Sequence, residues 1–262
     1  MIYCYELMKN PFKALTKFDI CLWVVAFATI ILTFFLTRSQ DYMTLVSSIT
    51  GITMLMFIVK GNVVGQFLTV IFSVCYGIVS YFTKYYGEMI TYLGMSTPAA
   101  IYAIVTWLRH PYKDSSSISI AKLNTKKVTI VGVISAAVTV AFYFILRALG
   151  TSNLAISTVS VALSMMAACF TVLRSPFYGL AYACNDIVRI VLWSMVAATD
   201  TSCLPIVVCF CLFFIYDTYG FINWTRMKKK QNAATAQPAE ELPAQPSEEQ
   251  SEQQPENNTQ TN

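Results

Sequence analysis

Charge is what this sequence has least of. Only 12% of its 262 residues are Asp, Glu, Lys or Arg, about half the share found in a soluble domain. Histidine is nearly absent: His110 stands alone, beside Pro111 and beyond a helix end, a poor place for acid–base work. The eight cysteines form no C-x-x-C pair and fall mostly in apolar runs, so they read as small hydrophobes rather than a metal or disulfide framework. Cys209 and Cys211 would point to different faces of a helix, which argues against a metal pair. There is no glycine-rich phosphate loop, no H-E-x-x-H, no G-x-S-x-G and no G-x-G-x-x-G. These absences argue against an enzyme and an ATP-coupled domain. The basic residues form no nucleic-acid stripe. No cofactor, metal or nucleic-acid partner is expected.

What is present is hydrocarbon. Hydrophobic residues make up 56% of the chain, with a mean hydropathy of +0.55. Eight apolar runs, at 20–37, 42–59, 63–83, 88–108, 128–147, 154–173, 177–198 and 203–223, approach the ~20 residues that cross a bilayer as helix. The first run lacks a small-residue cleavage pattern and reads as a span, not a signal peptide. Short turns such as Lys60-Gly61-Asn62 and Arg174-Ser175-Pro176 join neighbouring spans. Pro98 is expected to kink span four. Fourteen of the 18 Lys and Arg residues fall on the side of the N terminus; Arg38, Lys84 and Arg147 fall on the other, and Arg189 lies within a span. The positive-inside rule then places both termini in the cytoplasm and the chain in the cytoplasmic membrane. The stretch 231–262 holds six Glu and no Lys or Arg. It is expected to be a disordered cytoplasmic tail.

One apolar span carries a polar stripe: Tyr182, Asn185, Asp186, Arg189 and Trp193 share a helical face. Charged groups at bilayer depth are costly and mark a cavity, a partner or a pathway. Asp186 and Arg189 are i, i+3 neighbours, so an ion pair between them is expected, serving either packing or a ligand. Span three carries a milder stripe of Gln66, Thr69, Ser73, Tyr76 and Ser80. Asp217 in span eight could bind substrate, pair with Arg189 or be wetted from inside, and Glu88 reads as an interface residue. A weak repeat relates the halves: Tyr102 to Arg109 and Tyr219 to Arg226 both read Y-x4-W-x-R, and include Trp107, Asn223 and Trp224. The same residues also suit ordinary interface anchors. The candidate substrate-contacting set is Gln66, Tyr76, Tyr102, Trp107, Tyr182, Asn185, Asp186, Arg189, Trp193, Asp217, Tyr219 and Asn223.

Three short motifs carry a family resemblance: G-N-x-x-G-Q from Gly61 to Gln66, N-D-x-x-R-x-x-L-W from Asn185 to Trp193, and D-x-Y-G-F-x-x-W from Asp217 to Trp224. With the span layout over residues 20–226, they resemble the PnuC-type nicotinamide riboside transporters, related in architecture to the SWEET carriers. The resemblance implies an all-α membrane protein of two parallel three-helix bundles, a linking helix and an extra N-terminal helix. The chain then divides into an N-terminal segment (1–19), a first membrane half (20–108), a loop (109–127), a linking helix (128–147), a second bundle (154–226) and the tail (231–262). It also implies facilitated uptake of nicotinamide riboside, bound near the midplane between the bundles and trapped inside by a cytoplasmic kinase, in a chain that could self-associate. Relatives carry thiamine, riboflavin or deoxynucleosides, and the motifs do not separate these substrates. A non-transporting scaffold or sensor using the acidic tail is the alternative from another class.

Overall fold

Capping chemistry sets where the first helices begin. Thr16 and Asp19 form a reciprocal capping box that opens helix α1, Lys17–Leu36. Helices α2 (Tyr42–Val59), α3 (Val64–Phe82) and α4 (Tyr86–Leu108) follow. Asn124 accepts from the Lys126 N–H at 2.6 Å and opens α5, Thr125–Ala148. The chain ends in α6 (Leu154–Val172), α7 (Phe177–Ala197) and α8 (Leu204–Ala236). The structure, a computed structural model, describes residues 11–37, 42–82, 86–112, 116–151 and 153–236. The expectations for residues 1–10, for Arg38, Lys84 and Lys113, and for the tail from 237 to 262 lie outside the described residues.

Among the described residues, eight helices are long and apolar enough to cross a membrane, and most begin and end within about three residues of the expected spans. Helix α8 is the exception. Expected to stop at 223, it runs 33 residues to Ala236, about 50 Å of helix against ~30 Å of hydrocarbon. The expected tail therefore starts inside a helix. Gln231 explains the extension: its amide accepts from Ile120 N at 2.8 Å and donates to Ile118 O at 3.1 Å, tying α8 to the α4–α5 loop.

Six helices close a ring. α2 packs on α3, α3 on α4, α4 on α6, α6 on α7, α7 on α8, and α8 returns to α2. α1 lies outside the ring against α2 and α8, and α5 outside it against α6. The outer surface is apolar, with Leu32 and Phe35 on α1 and Val133, Val140 and Phe144 on α5 exposed. Such a surface belongs against lipid. Tight approach of α7 to α8 depends on Gly179, where a Cβ would sit 2.5 Å from the carbonyl oxygen of Asp217.

The basic end of the bundle is tied across the ring. The α2–α3 turn uses Gly61 at φ +66° and the α6–α7 turn uses Arg174 at φ +53°, a conformation that favours glycine. Contacts offset the strain at Arg174: its carbonyl accepts from Ala121 N and its guanidinium donates to Ser119 O, both at 3.1 Å. The same extended segment reaches the other turn, where Ile118 N donates to Gly61 O at 3.1 Å. Two indoles cross as well. Trp107 on α4 donates to Thr171 O at the end of α6, and Trp224 on α8 donates to Ile58 O at the end of α2, each at 3.0 Å. Their rings meet at 5.5 Å, and both residues are fully buried.

Helix α4 is irregular, as Pro98 predicts, but the distortion precedes the proline. Residues Thr91–Ser96 form a π-helical turn, with the Thr97 N–H reaching back to Tyr92 O. Proline cannot donate to the carbonyl one turn earlier and crowds it, so the helix widens upstream.

Candidate functional site

Inside the ring is a chamber of about 70 Å³. Every ring helix contributes to its wall: Met54, Leu55 and Ile58 from α2; Gln66, Thr69, Phe72 and Ser73 from α3; Tyr92 and Ser96 from α4; Ser164 and Thr171 from α6; Tyr178, Tyr182, Asn185, Asp186 and Arg189 from α7; Phe213 and Asp217 from α8. Neither α1 nor α5 reaches it.

Helical spacing on α7 aims four of its five stripe residues into this space. Asn185 lies between two α6 hydroxyls, 2.9 Å from both Ser160 Oγ and Ser164 Oγ. With its amide oxygen turned toward Arg189, it also accepts from Arg189 Nε at 3.0 Å. The expected Asp186–Arg189 ion pair does not form. Arg189 turns to α4, where Glu88 lies 3.8 Å from its Nη2. Its guanidinium lies over the rings of Tyr92 at 4.8 Å and Phe210 at 5.3 Å and donates to Ser164 Oγ at 3.2 Å. Asp186 instead has Asp217 of α8 as its acidic neighbour, and both carboxyls are buried in the chamber wall. Glu88 is buried rather than interfacial: the π turn rotates the start of α4 inward.

Five wall residues carry buried polar atoms with no protein partner: Gln66 Nε2, Ser73 Oγ, Tyr178 OH, Asp186 Oδ2 and Asp217 Oδ1. Buried polar atoms are nearly always satisfied, so this cluster is built for something polar to enter. Rings of Phe72, Tyr92, Tyr178, Tyr182 and Phe213 supply flat apolar faces around it.

The twelve expected residues separate into groups. Gln66, Tyr182, Asn185, Asp186, Arg189 and Asp217 line the chamber. Tyr76 and Trp193 lie just behind its wall: Tyr76 is 4.5 Å from Tyr92 and 6.4 Å from Trp193, ring to ring. The other four lie elsewhere. Tyr102 is 62% exposed on the lipid-facing side of α4, because the π turn shifts the helical phase. Trp107 serves the crossed indole pair. Tyr219 donates to Asp19 at 2.8 Å, beside a 2.6 Å Lys60–Asp19 ion pair that fastens α1. Asn223 donates to Val59 O at 2.8 Å and pins α8 to the end of α2. Tyr92, Ser96, Ser164, Thr171 and Tyr178 went unnoticed as wall residues. Ser157, Ser160, Ser164 and Thr171 form a legible helical stripe on α6; Tyr92 and Ser96 carry no sequence signal, since the π turn places them.

Eight membrane-length helices among the described residues, six of them ringed about a polar chamber, define a membrane transport protein. The chain belongs to the nicotinamide mononucleotide transporter family, whose model matches residues 41–226. It is 24% identical over 229 residues to the nicotinamide riboside transporter PnuC of Neisseria mucosa, covering 86% of this chain and 87% of the relative. It is also 24% identical over 213 residues to the PnuC transporter of Haemophilus influenzae, covering 80% and 91%. Its fold is similar to the crystal structure of the vitamin B3 transporter PnuC, with a TM-score of 0.72 at 22% identity over 83% of this chain and 94% of that one. Helix α1 precedes the family match.

Proposed function

We propose that this protein carries nicotinamide riboside across the cytoplasmic membrane by facilitated diffusion, binding it in the chamber between the two halves. The observation that carries the reading is the charge of the chamber wall. Glu88 and Arg189 offset one another, which leaves the buried acids Asp186 and Asp217 as the remaining ionisable groups of the wall. That wall suits a ligand with one positive charge, as the pyridinium riboside has, and opposes a phosphate. The orphaned donors and acceptors of Gln66, Tyr178 and Ser73 suit ribose hydroxyls, and the tyrosine and phenylalanine faces suit the flat ring. The family model bears the mononucleotide's name and the curated relatives the riboside's; the wall charge favours the riboside.

In this reading both termini are cytoplasmic, the tryptophan-tied end faces the cytoplasm, and the two halves are parallel repeats with α5 as the linking helix. A cytoplasmic kinase then retains the riboside inside the cell. Titration of the purified protein with nicotinamide riboside, nicotinamide mononucleotide, thiamine, riboflavin and a deoxynucleoside tests the substrate. Binding of the riboside alone, weakened at least ten-fold by Asp217→Asn, is expected; preference for any other compound overturns the assignment. In proteoliposomes the riboside should only equilibrate. Accumulation driven by an imposed proton or sodium gradient refutes facilitated diffusion.

A further inference from the structure

We infer that Glu88 determines substrate specificity: it cancels the charge of Arg189 and so makes the chamber reject the phosphorylated form of its ligand. The inference rests on the chamber being the substrate site.

The geometry of Glu88 is odd for a residue that only holds helices together. It is buried, with 8% of its surface exposed, yet its Oε2 accepts no hydrogen bond. The Arg189 Nη2 stands off at 3.8 Å, beyond the range of a charge-assisted hydrogen bond. A structural ion pair closes that gap, as Lys60 and Asp19 do at 2.6 Å. Glu88 thus acts through its field more than through a directional bond. Arg189 does not need Glu88 for its position: Ser164, Asn185 and the rings of Tyr92 and Phe210 already hold the guanidinium.

Position adds a second observation. Arg189 lines the chamber, while Glu88 lines a separate cavity bounded by the far ends of α4, α5, α6 and α7. The carboxylate therefore approaches the guanidinium from outside the substrate space. Without it, the chamber would hold a buried arginine with unspent charge, facing a ligand that differs from its phosphorylated form by one phosphate. Arginine binds phosphate through paired N–H donors, so an uncompensated Arg189 would invite the wrong ligand. Specificity is set by what is opposed as well as by what is held. Glu88 supplies the opposition without occupying the site.

The test is titration of the full chain with nicotinamide riboside and with nicotinamide mononucleotide at one ionic strength. The wild type should bind the riboside and reject the mononucleotide. Glu88→Gln should gain at least ten-fold in affinity for the mononucleotide and lose affinity for the riboside. Adding Arg189→Gln to that variant should erase the gain. A Glu88→Gln protein that binds the riboside with undiminished discrimination overturns the inference and leaves the proposed function standing. A wild type that binds neither compound, or prefers the mononucleotide, overturns the functional reading itself. Should Glu88→Gln not fold, Glu88→Asp withdraws the charge by one methylene; it should discriminate about two- to three-fold less sharply, and discrimination equal to the wild type counts against the inference.

Discussion

Trp224→Phe and Trp107→Phe test how the ring is fastened at the basic end. Each substitution keeps an aromatic ring and removes one indole N–H that crosses to a neighbouring helix, α6 for Trp107 and α2 for Trp224. The carbonyls are not orphaned. Ile58 O still accepts from Gly61 N at 2.8 Å, and Thr171 O from Arg174 N at 3.0 Å. The cost of the lost bond is therefore the net value of a hydrogen bond, about 1 kcal/mol, and not the full penalty for a buried unpaired acceptor. Trading indole for phenyl in a fully buried position adds about 1–2 kcal/mol of lost packing. Each variant should lose about 2–3 kcal/mol by the same count. The rings touch at 5.5 Å, so the pair should not be additive: a double-mutant cycle of detergent unfolding should show a coupling of about 0.5–1.5 kcal/mol. Additivity within about 0.3 kcal/mol, or a single variant as stable as the wild type, refutes the crossed pair as one unit.

Three further outcomes follow from the geometry. Tyr92→Ala should abolish riboside binding while Tyr102→Ala leaves it unchanged, read by titration; the reverse order would mean that α4 presents its other face. Lys60→Met strands a buried Asp19 carboxylate and should cost about 3–5 kcal/mol, whereas Lys60→Met with Asp19→Asn should recover most of it in the same melt. Truncation after Ala236 should leave uptake intact, but truncation after Lys230 removes Gln231 and its two bonds to the α4–α5 loop; equal melting temperatures for the two would show that this contact contributes nothing.

Much of the site was legible before the fold. The α7 stripe announced itself because charge inside an apolar helix is costly enough to demand a reason, and four of its five members reach the chamber. Asp217 was legible for the same reason, and Gln66 because an amide inside an apolar helix also needs a polar partner. The partners were not. Asp186 and Arg189 are adjacent on one helix, and i, i+3 proximity favours their pairing. Yet each found a better neighbour on another helix, Asp217 on α8 and Glu88 on α4. The Y-x4-W-x-R repeat pointed to function and delivered architecture, since Trp107, Tyr219, Asn223 and Trp224 all spend their polar atoms on fastening helix ends.

The sequence alone determined that eight helices cross a membrane, which end is basic, and which face of α7 is polar. Those properties follow from hydropathy and helical period, and both are local. Tertiary structure alone decided that six helices share one chamber while α1 and α5 stand outside it, which acid faces Arg189, and that a π turn before Pro98 brings Tyr92 and Glu88 inward and leaves Tyr102 against lipid. Those depend on how helices rotate about their axes and which neighbours they meet. Packing sets that rotation, and a one-residue widening of a helical turn changes it by about 100°.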